Sequence, residues 1–297
     1  MRGRLLLGLA LAGAPGAGAG QALVRTEPPA PMRGALARLV VTPAGEPVTA
    51  IAGEIGGEPL HLESADGLTW RSLFGVPFAG GERLEAVLAL HRASGAVDTL
   101  QLELPVRRAS YGIETLRVAP QMAEPDSAAR VRIARENALA REVSRAAHET
   151  PPLWDQAFLP PRPGRITSPY GTGRRFNGRI VSRHLGTDFA GRLGDPVHAA
   201  NRGRVVLVAD FYLAGTVVYL DHGGGLTSAY FHLSRVDVRP GEIVERGQRI
   251  GAVGATGRVT GPHLHWVMRY GAVTVDPESV LALLGEPAGS PEAGGPP

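Results

Sequence analysis

Cysteine is absent from the 297 residues of the chain. That excludes disulfides, thiolate ligands for a metal and a lipid-modified N-terminal cysteine, so an exported form would stand on its cores and any bound ion. Excess charge is scarce as well, since 31 Lys and Arg against 28 Asp and Glu leave a net +3. With no Lys/Arg run interleaved with aromatics, this balance points away from nucleic acid. Long hydrophobic runs are lacking too. The one apolar run, Leu5 to Ala12, is too short to cross a bilayer. Arg2 and Arg4 precede it, and the small-x-small Ala17-Gly18-Ala19 follows, so residues 1–19 read as a secretory signal peptide. No stable membrane span is expected after its removal.

Glycine and proline, by contrast, are plentiful at 40 and 25 residues, in a chain that is 43% hydrophobic. Such a composition fits a β-rich chain with frequent turns, long enough for two domains with cores of their own. From 21 to 120 the apolar pattern has period two. Leu100, Leu102, Leu104 and Val106 alternate with Gln101 and Glu103, and Leu84 to His91 is the expected hairpin partner across a turn containing Gly95. Further short strands are expected at Leu36–Val41, Val48–Ile51 and Ile113–Val118, which together suggest an immunoglobulin-like β-sandwich. Over 126–149 the pattern turns helical, with Ser127 able to cap and Val131, Ala134, Ala138, Leu139 and Val143 forming a narrow stripe, until Pro151-Pro152 ends it. Glycine-broken apolar runs at 205–208, 217–220 and 243–250 predict a compact antiparallel sheet within a domain spanning 150–284, and 285–297 reads as a disordered tail. The expected fold class is therefore mainly β: an N-terminal β-sandwich over 21–120, a helical connector over 126–149 and a C-terminal antiparallel β-sheet domain.

Gly261-Pro262-His263-Leu264-His265-Trp266 carries the chemistry. In an extended strand His263 and His265 project to one side, with Leu264 turned into the opposite layer. A divalent ion held by one imidazole would lie near the other, and His184 with Asp188 could complete a set of two nitrogens and one carboxylate oxygen. Zinc favours that mixture, and three protein ligands leave a fourth position for water. A lone His-x-His is a weak signal; its surroundings strengthen it. Asn177-Gly178, His184-x-Gly186-x-Asp188-Phe189, Asp221-His222-Gly223, Tyr230-Phe231-His232-Leu233-Ser234 and Gly254-x-Thr256-Gly257-x-x-Thr260-Gly261 precede it in order.

That series resembles the lysostaphin-type (LytM-like) zinc metallopeptidases, which cut peptide bonds in bacterial cell-wall peptidoglycan. The resemblance covers about residues 150–280. It implies a C-terminal peptidase domain of that type, one zinc ion per chain held by His184, Asp188 and His265, and His263 and His232 acting on the bound water and the transition state. Spacing leaves open which histidine is the base. Residues 174–178 fall where the family builds a wall of its substrate groove. Arg174, Arg175 and Asn177 are thus candidates for substrate contact, while two exposed loop arginines are the plain reading of the same residues. His198 and His222 match no catalytic position and read as structural, as do His61 and His91. The resemblance further implies peptidoglycan as substrate, an envelope regulator as a partner, and a location in the periplasm, envelope or outside the cell. The competing function is a non-catalytic peptidoglycan-binding or amidase-activating envelope protein. The mildly basic balance suits approach to an anionic wall.

Overall fold

The strand that anchors the C-terminal half has the sequence HLHWVMRY. Leu264, Trp266, Met268 and Tyr270 are all 0% exposed, so one face of the strand is locked into the core and the alternate residues His263, His265, Val267 and Arg269 share the other. The computed structural model describes residues 22–285, without the side chains at 179–181. The expected signal peptide and all but the first residue of the expected tail lie outside them.

The described chain is mainly β, as its composition and periodicity predict, and it divides into two units. The first holds 22–31, Ala37–Phe74 and Gly81–Arg107. Its strands are β1 (Leu23–Glu27), β2 (Leu36–Thr42), β3 (Val48–Ile55), β4 (Glu58–Pro59), β5 (Trp70–Gly75), β6 (Arg83–Arg92) and β7 (Val97–Pro105). They form a three-stranded sheet ordered β1-β2-β5 and a four-stranded sheet ordered β4-β3-β6-β7. The hairpin expected from the alternating pattern is β6–β7, with Leu84 opposite Leu104 and Leu88 opposite Leu100. Gly95 takes φ +89° in its turn, a conformation a side chain would disfavour.

The second unit takes in Met32–Leu36, Gly75–Gly80 and the chain from Arg108 onward. It begins with β8 (Ile113–Leu116), α1 (Pro120–Ala123) and α2 (Ser127–Arg145). Strands β9 (Ile166–Ser168), β10 (Gly173–Phe176), β11 (Arg179–Arg183), β12 (Thr187–Ala190), β13 (Pro196–His198), β14 (Gly203–Phe211) and β15 (Gly215–Gly223) follow. The last elements are β16 (Leu226–Val236), β17 (Ile243–Val244), β18 (Arg249–Val253), β19 (His263–Tyr270), β20 (Val273–Val275) and α3 (Pro277–Leu284). The main sheet runs β17-β14-β15-β16-β19-β12-β9, and β8 pairs in parallel with β10 in a small sheet ordered β11-β10-β8. The strand expected at Ile113–Val118 within the N-terminal sandwich is thus β8, hydrogen-bonded here to β10 instead.

Two details of the helix differ from the sequence reading. Asp126, not Ser127, caps α2 by accepting from the Ala129 amide at 2.8 Å. The buried stripe is also rotated: Ala129, Ala140 and Ser144 face inward, whereas Val131 is 70% exposed. Small residues let the helix lie close on the sheet, where Ala140 packs with Phe211, Tyr219 and Val267.

His222 is structural, as expected. Its Nδ1–H donates to the Arg202 carbonyl at 2.8 Å, so Nε2 must accept from the Ser228 hydroxyl at 2.7 Å, and Tyr230 Oη lies 2.9 Å further on. Burial pushes its pKa down to about 4. An unfolded histidine binds its proton near 6.5, so acidification from there to about 4 favours the unfolded chain by up to ~3 kcal/mol, and the loss saturates below 4. Nuclear magnetic resonance is expected to show the His222 ring neutral at pH 5. A midpoint near 6.5 would contradict this account.

Candidate metal centre

Three strands and one loop build the site. β12 pairs antiparallel with β19 so that Asp188 stands directly opposite His265, and opposed residues of an antiparallel pair share a face. On the other flank of β19, Phe231 of β16 is opposite His265, with ring centroids 5.2 Å apart. His232 should then point away. Instead the β15–β16 register shifts between Thr216 and Val218, setting Phe231 and His232 against Val217, and His232 takes φ +61°. This bulge turns the His232 ring to within 4.9 Å of the His263 ring and 5.9 Å of the His265 ring. Bulges beside active sites re-aim side chains in this way, at some cost in backbone strain.

His184 enters from the loop after β11, held by its amide to the Thr172 carbonyl at 2.8 Å. Its Nδ1 lies 3.1 Å from the Pro169 carbonyl, which can only accept, so the proton sits on Nδ1 and Nε2 offers a lone pair. That Nε2 is 2.9 Å from Asp188 Oδ1 and 2.7 Å from His265 Nδ1, which is itself 2.7 Å from the same Oδ1. One proton on His265 Nδ1 would have to serve two acceptors at once, whereas a single cation satisfies all three buried donor atoms. The residues therefore fit a divalent ion of the zinc type. A Cβ on Gly186 would come within 2.6 Å of the His265 ring and of the Trp266 carbonyl, so glycine is required where this ring seats.

Electrostatics hold the cluster in the ligating protonation state. Burial raises the Asp188 carboxyl, but the His184 and His265 rings packed against it outweigh that and keep the group well below the usual carboxylate range. Burial drops His265 to about 4, and burial with the neighbouring His265 and His263 holds His232 well below its ordinary value. His263 gives its Nδ1–H to the Gly261 carbonyl at 2.8 Å, and His232 gives its own to the Thr256 carbonyl at 2.8 Å. Both therefore present a bare Nε2, and that of His263 is 3.7 Å from Asp188 Oδ1.

The remaining candidates separate. Arg174 reaches the cluster, donating from Nη2 to Asp188 Oδ2 and from Nε to Glu114 at 2.8 Å. Arg175 lines neither cavity that borders the cluster. Asn177 spends its amide on the backbone of Val118, donating to the carbonyl at 3.1 Å and accepting from the N–H at 3.2 Å. Motif spacing passes over Glu114, which accepts from Arg174 and from Ser168 at 3.0 Å, and it names Thr256 without giving a role to the carbonyl that orients His232. It also gives no role to Arg258, an unnamed position inside the Gly254–Gly261 motif that lines both cavities.

Comparison with known proteins places the same stretch. Residues 182–277 match the profile described as Peptidase family M23. The chain is 41% identical over 104 residues to the peptidoglycan DD-endopeptidase ShyB, and 49% identical over 86 residues to the peptidoglycan DD-endopeptidase ShyA, both of Vibrio cholerae serotype O1. These matches cover 34% and 29% of this chain, which spans only 24% and 20% of the two relatives. A crystal structure described as a peptidase M23 from Pseudomonas aeruginosa aligns with a TM-score of 0.63 at 28% identity, covering 84% of this chain and 94% of that one.

Proposed function

We propose that the chain, whose residues 182–277 match the profile of peptidase family M23, is a zinc metalloendopeptidase that hydrolyses peptide bonds in bacterial cell-wall peptidoglycan. The observation that carries this reading is the cluster of His184 Nε2, Asp188 Oδ1 and His265 Nδ1, with the bare Nε2 of His263 3.7 Å from the shared oxygen. His184, Asp188 and His265 would hold one zinc ion. Bound there, zinc supplies Lewis acidity toward a water and a carbonyl oxygen.

The chain's own residues do the rest. His263, kept in one tautomer by Gly261, accepts the proton of the attacking water and returns it to the leaving amine. His232 is neutral with its Nδ1–H already given to Thr256, so it too is an acceptor at first. It can share that proton, and it becomes a donor to an oxyanion only after receiving one. Arg174 fixes the second carboxylate oxygen of Asp188, an outer contact of the kind that orients a ligand.

Export to the periplasm or envelope, and an envelope regulator as partner, belong to the same proposal. So does the division into a leader at 1–19, a connector at 126–149 and a peptidase domain at 150–284, whereas the sandwich expected over 21–120 ends near Arg107, because β8 (Ile113–Leu116) pairs with β10 in the second unit. The mature chain, purified with zinc, is expected to bind about one ion per chain and to release soluble muropeptides from purified peptidoglycan. One ion per chain with no release would favour the non-catalytic binding or activating role, and no zinc after reconstitution would overturn the site itself.

A further inference from the structure

The cavity of about 240 Å³ walled by His184, His232 and His265 is also lined by Arg174, Arg183, Arg258 and Arg269, and no Asp or Glu joins them among the described residues. Among the described residues Arg174 alone of these four has carboxylate partners, Glu114 and Asp188, neither of which lines this cavity. Arg258 lies over the Phe176 ring at 4.2 Å, and its guanidinium makes one long hydrogen bond, to the Met122 carbonyl at 3.4 Å. Arg269 donates from Nη1 to the Ala272 carbonyl at 3.5 Å, and its buried Nε meets no acceptor among the described residues. Arg183, at the exposed rim, donates to the Gly171 carbonyl at 3.3 Å and stacks on Phe78. Burial, reinforced by Arg174, lowers the Arg258 pKa to about 10.

Guanidinium groups withdrawn from water without counter-ions are costly to keep. A fold that half-buries Arg258 and Arg269 beside the histidine cluster, with Arg183 at the rim, leaves a place for an anion supplied from outside. The planar fork of arginine matches a carboxylate with two parallel hydrogen bonds.

We propose that this cavity is a carboxylate subsite, and that the protein selects peptides bearing a free carboxylate next to the bond it cuts over neutral glycine bridges. The inference rests on the peptidase reading and narrows its substrate class. Two sources supply that carboxylate. One is the free carboxyl of a diamino acid at a cross-link, and the other is the C-terminal carboxyl of an uncross-linked stem peptide.

The test uses the full zinc-loaded protein. Binding is measured by calorimetry for hydrolysis products with the carboxyl free or converted to the amide, and kcat/KM for a cross-linked dimer, its amidated form, an uncross-linked pentapeptide and pentaglycine. The free acid is expected to bind at least ~10-fold more tightly than the amide, as loss of a charge-assisted bidentate contact implies. Arg258→Gln should bring that ratio to within about 3-fold, and Arg258→Lys should fall between, keeping the charge without the fork. Arg183→Gln, an exposed change that spares the core, should reduce the ratio in part. Faster cleavage of the dimer assigns the carboxylate to the cross-link, and faster cleavage of the pentapeptide assigns it to the chain end. Equal binding of acid and amide by the unaltered protein overturns the subsite, as does an unchanged ratio in Arg258→Gln. Tight acid-selective binding with no hydrolysis of any peptide would sustain the subsite and sink the peptidase reading.

Discussion

Replacing Asp188 by alanine is expected to remove metal and activity together. Its Oδ1 is the one atom shared by the whole cluster, 2.9 Å from His184 Nε2 and 2.7 Å from His265 Nδ1, and its Oδ2 is held by Arg174. Removing an outer partner of a metal ligand typically costs about 10–100-fold in affinity. Loss of the ligand itself, with its charge, should exceed that by orders of magnitude. Zinc titration with a competing chelator would measure the first effect and muropeptide release the second. Alanine at His184 or His265 should act in the same direction. An Asp188→Ala protein that retains stoichiometric zinc would remove this residue from the ligand set.

His263→Ala should behave differently. This side chain lies 3.7 Å from the Asp188 oxygen and, among the described residues, hydrogen-bonds outward to Gly261. Most of the zinc should remain while kcat falls by about 10²–10⁴, the usual worth of a positioned general acid–base. His232→Ala should lower the rate as well. If both histidines handle one proton, the double variant should lose little more than the worse single one, because groups acting as a unit are non-additive. Metal loss in His263→Ala equal to that in Asp188→Ala would end the division between holding the ion and moving the proton.

The residues that act through strand alternation are legible in the sequence itself. His263 and His265 share a face because Leu264 and Trp266 must be buried, and Asp188 joins them through simple antiparallel pairing. The family pattern identifies His232, yet the orientation of its ring depends on a bulge and a left-handed residue that periodicity cannot announce. Glu114 is hidden for another reason. It arrives by parallel pairing of Gly173 with Ile113 across sixty positions, and no local signal records such a partner. On the helix, apolarity singles out Val131, which is exposed, whereas close approach to the sheet selects the small Ala129 and Ala140; of the expected stripe, Val143 packs against the core. Arg258 occupies what looks like an arbitrary position in a glycine-rich motif; only its half-buried guanidinium in a cavity lined by no carboxylate among the described residues sets it apart.

Strand β8 limits how the metal site could be transplanted. A chain beginning at residue 150 would keep every metal-ligating and proton-handling side chain. It would nevertheless leave the outer edge of β10 unpaired, strip Glu114, Leu116 and Val118 from a second cavity, of about 410 Å³, that Asp188 and His263 also line, and free the Nε of Arg174. Recombination between relatives would therefore exchange a working groove only when the crossover falls ahead of about Arg108, where the second unit resumes. As a unit of inheritance, the metal site is longer than its motif.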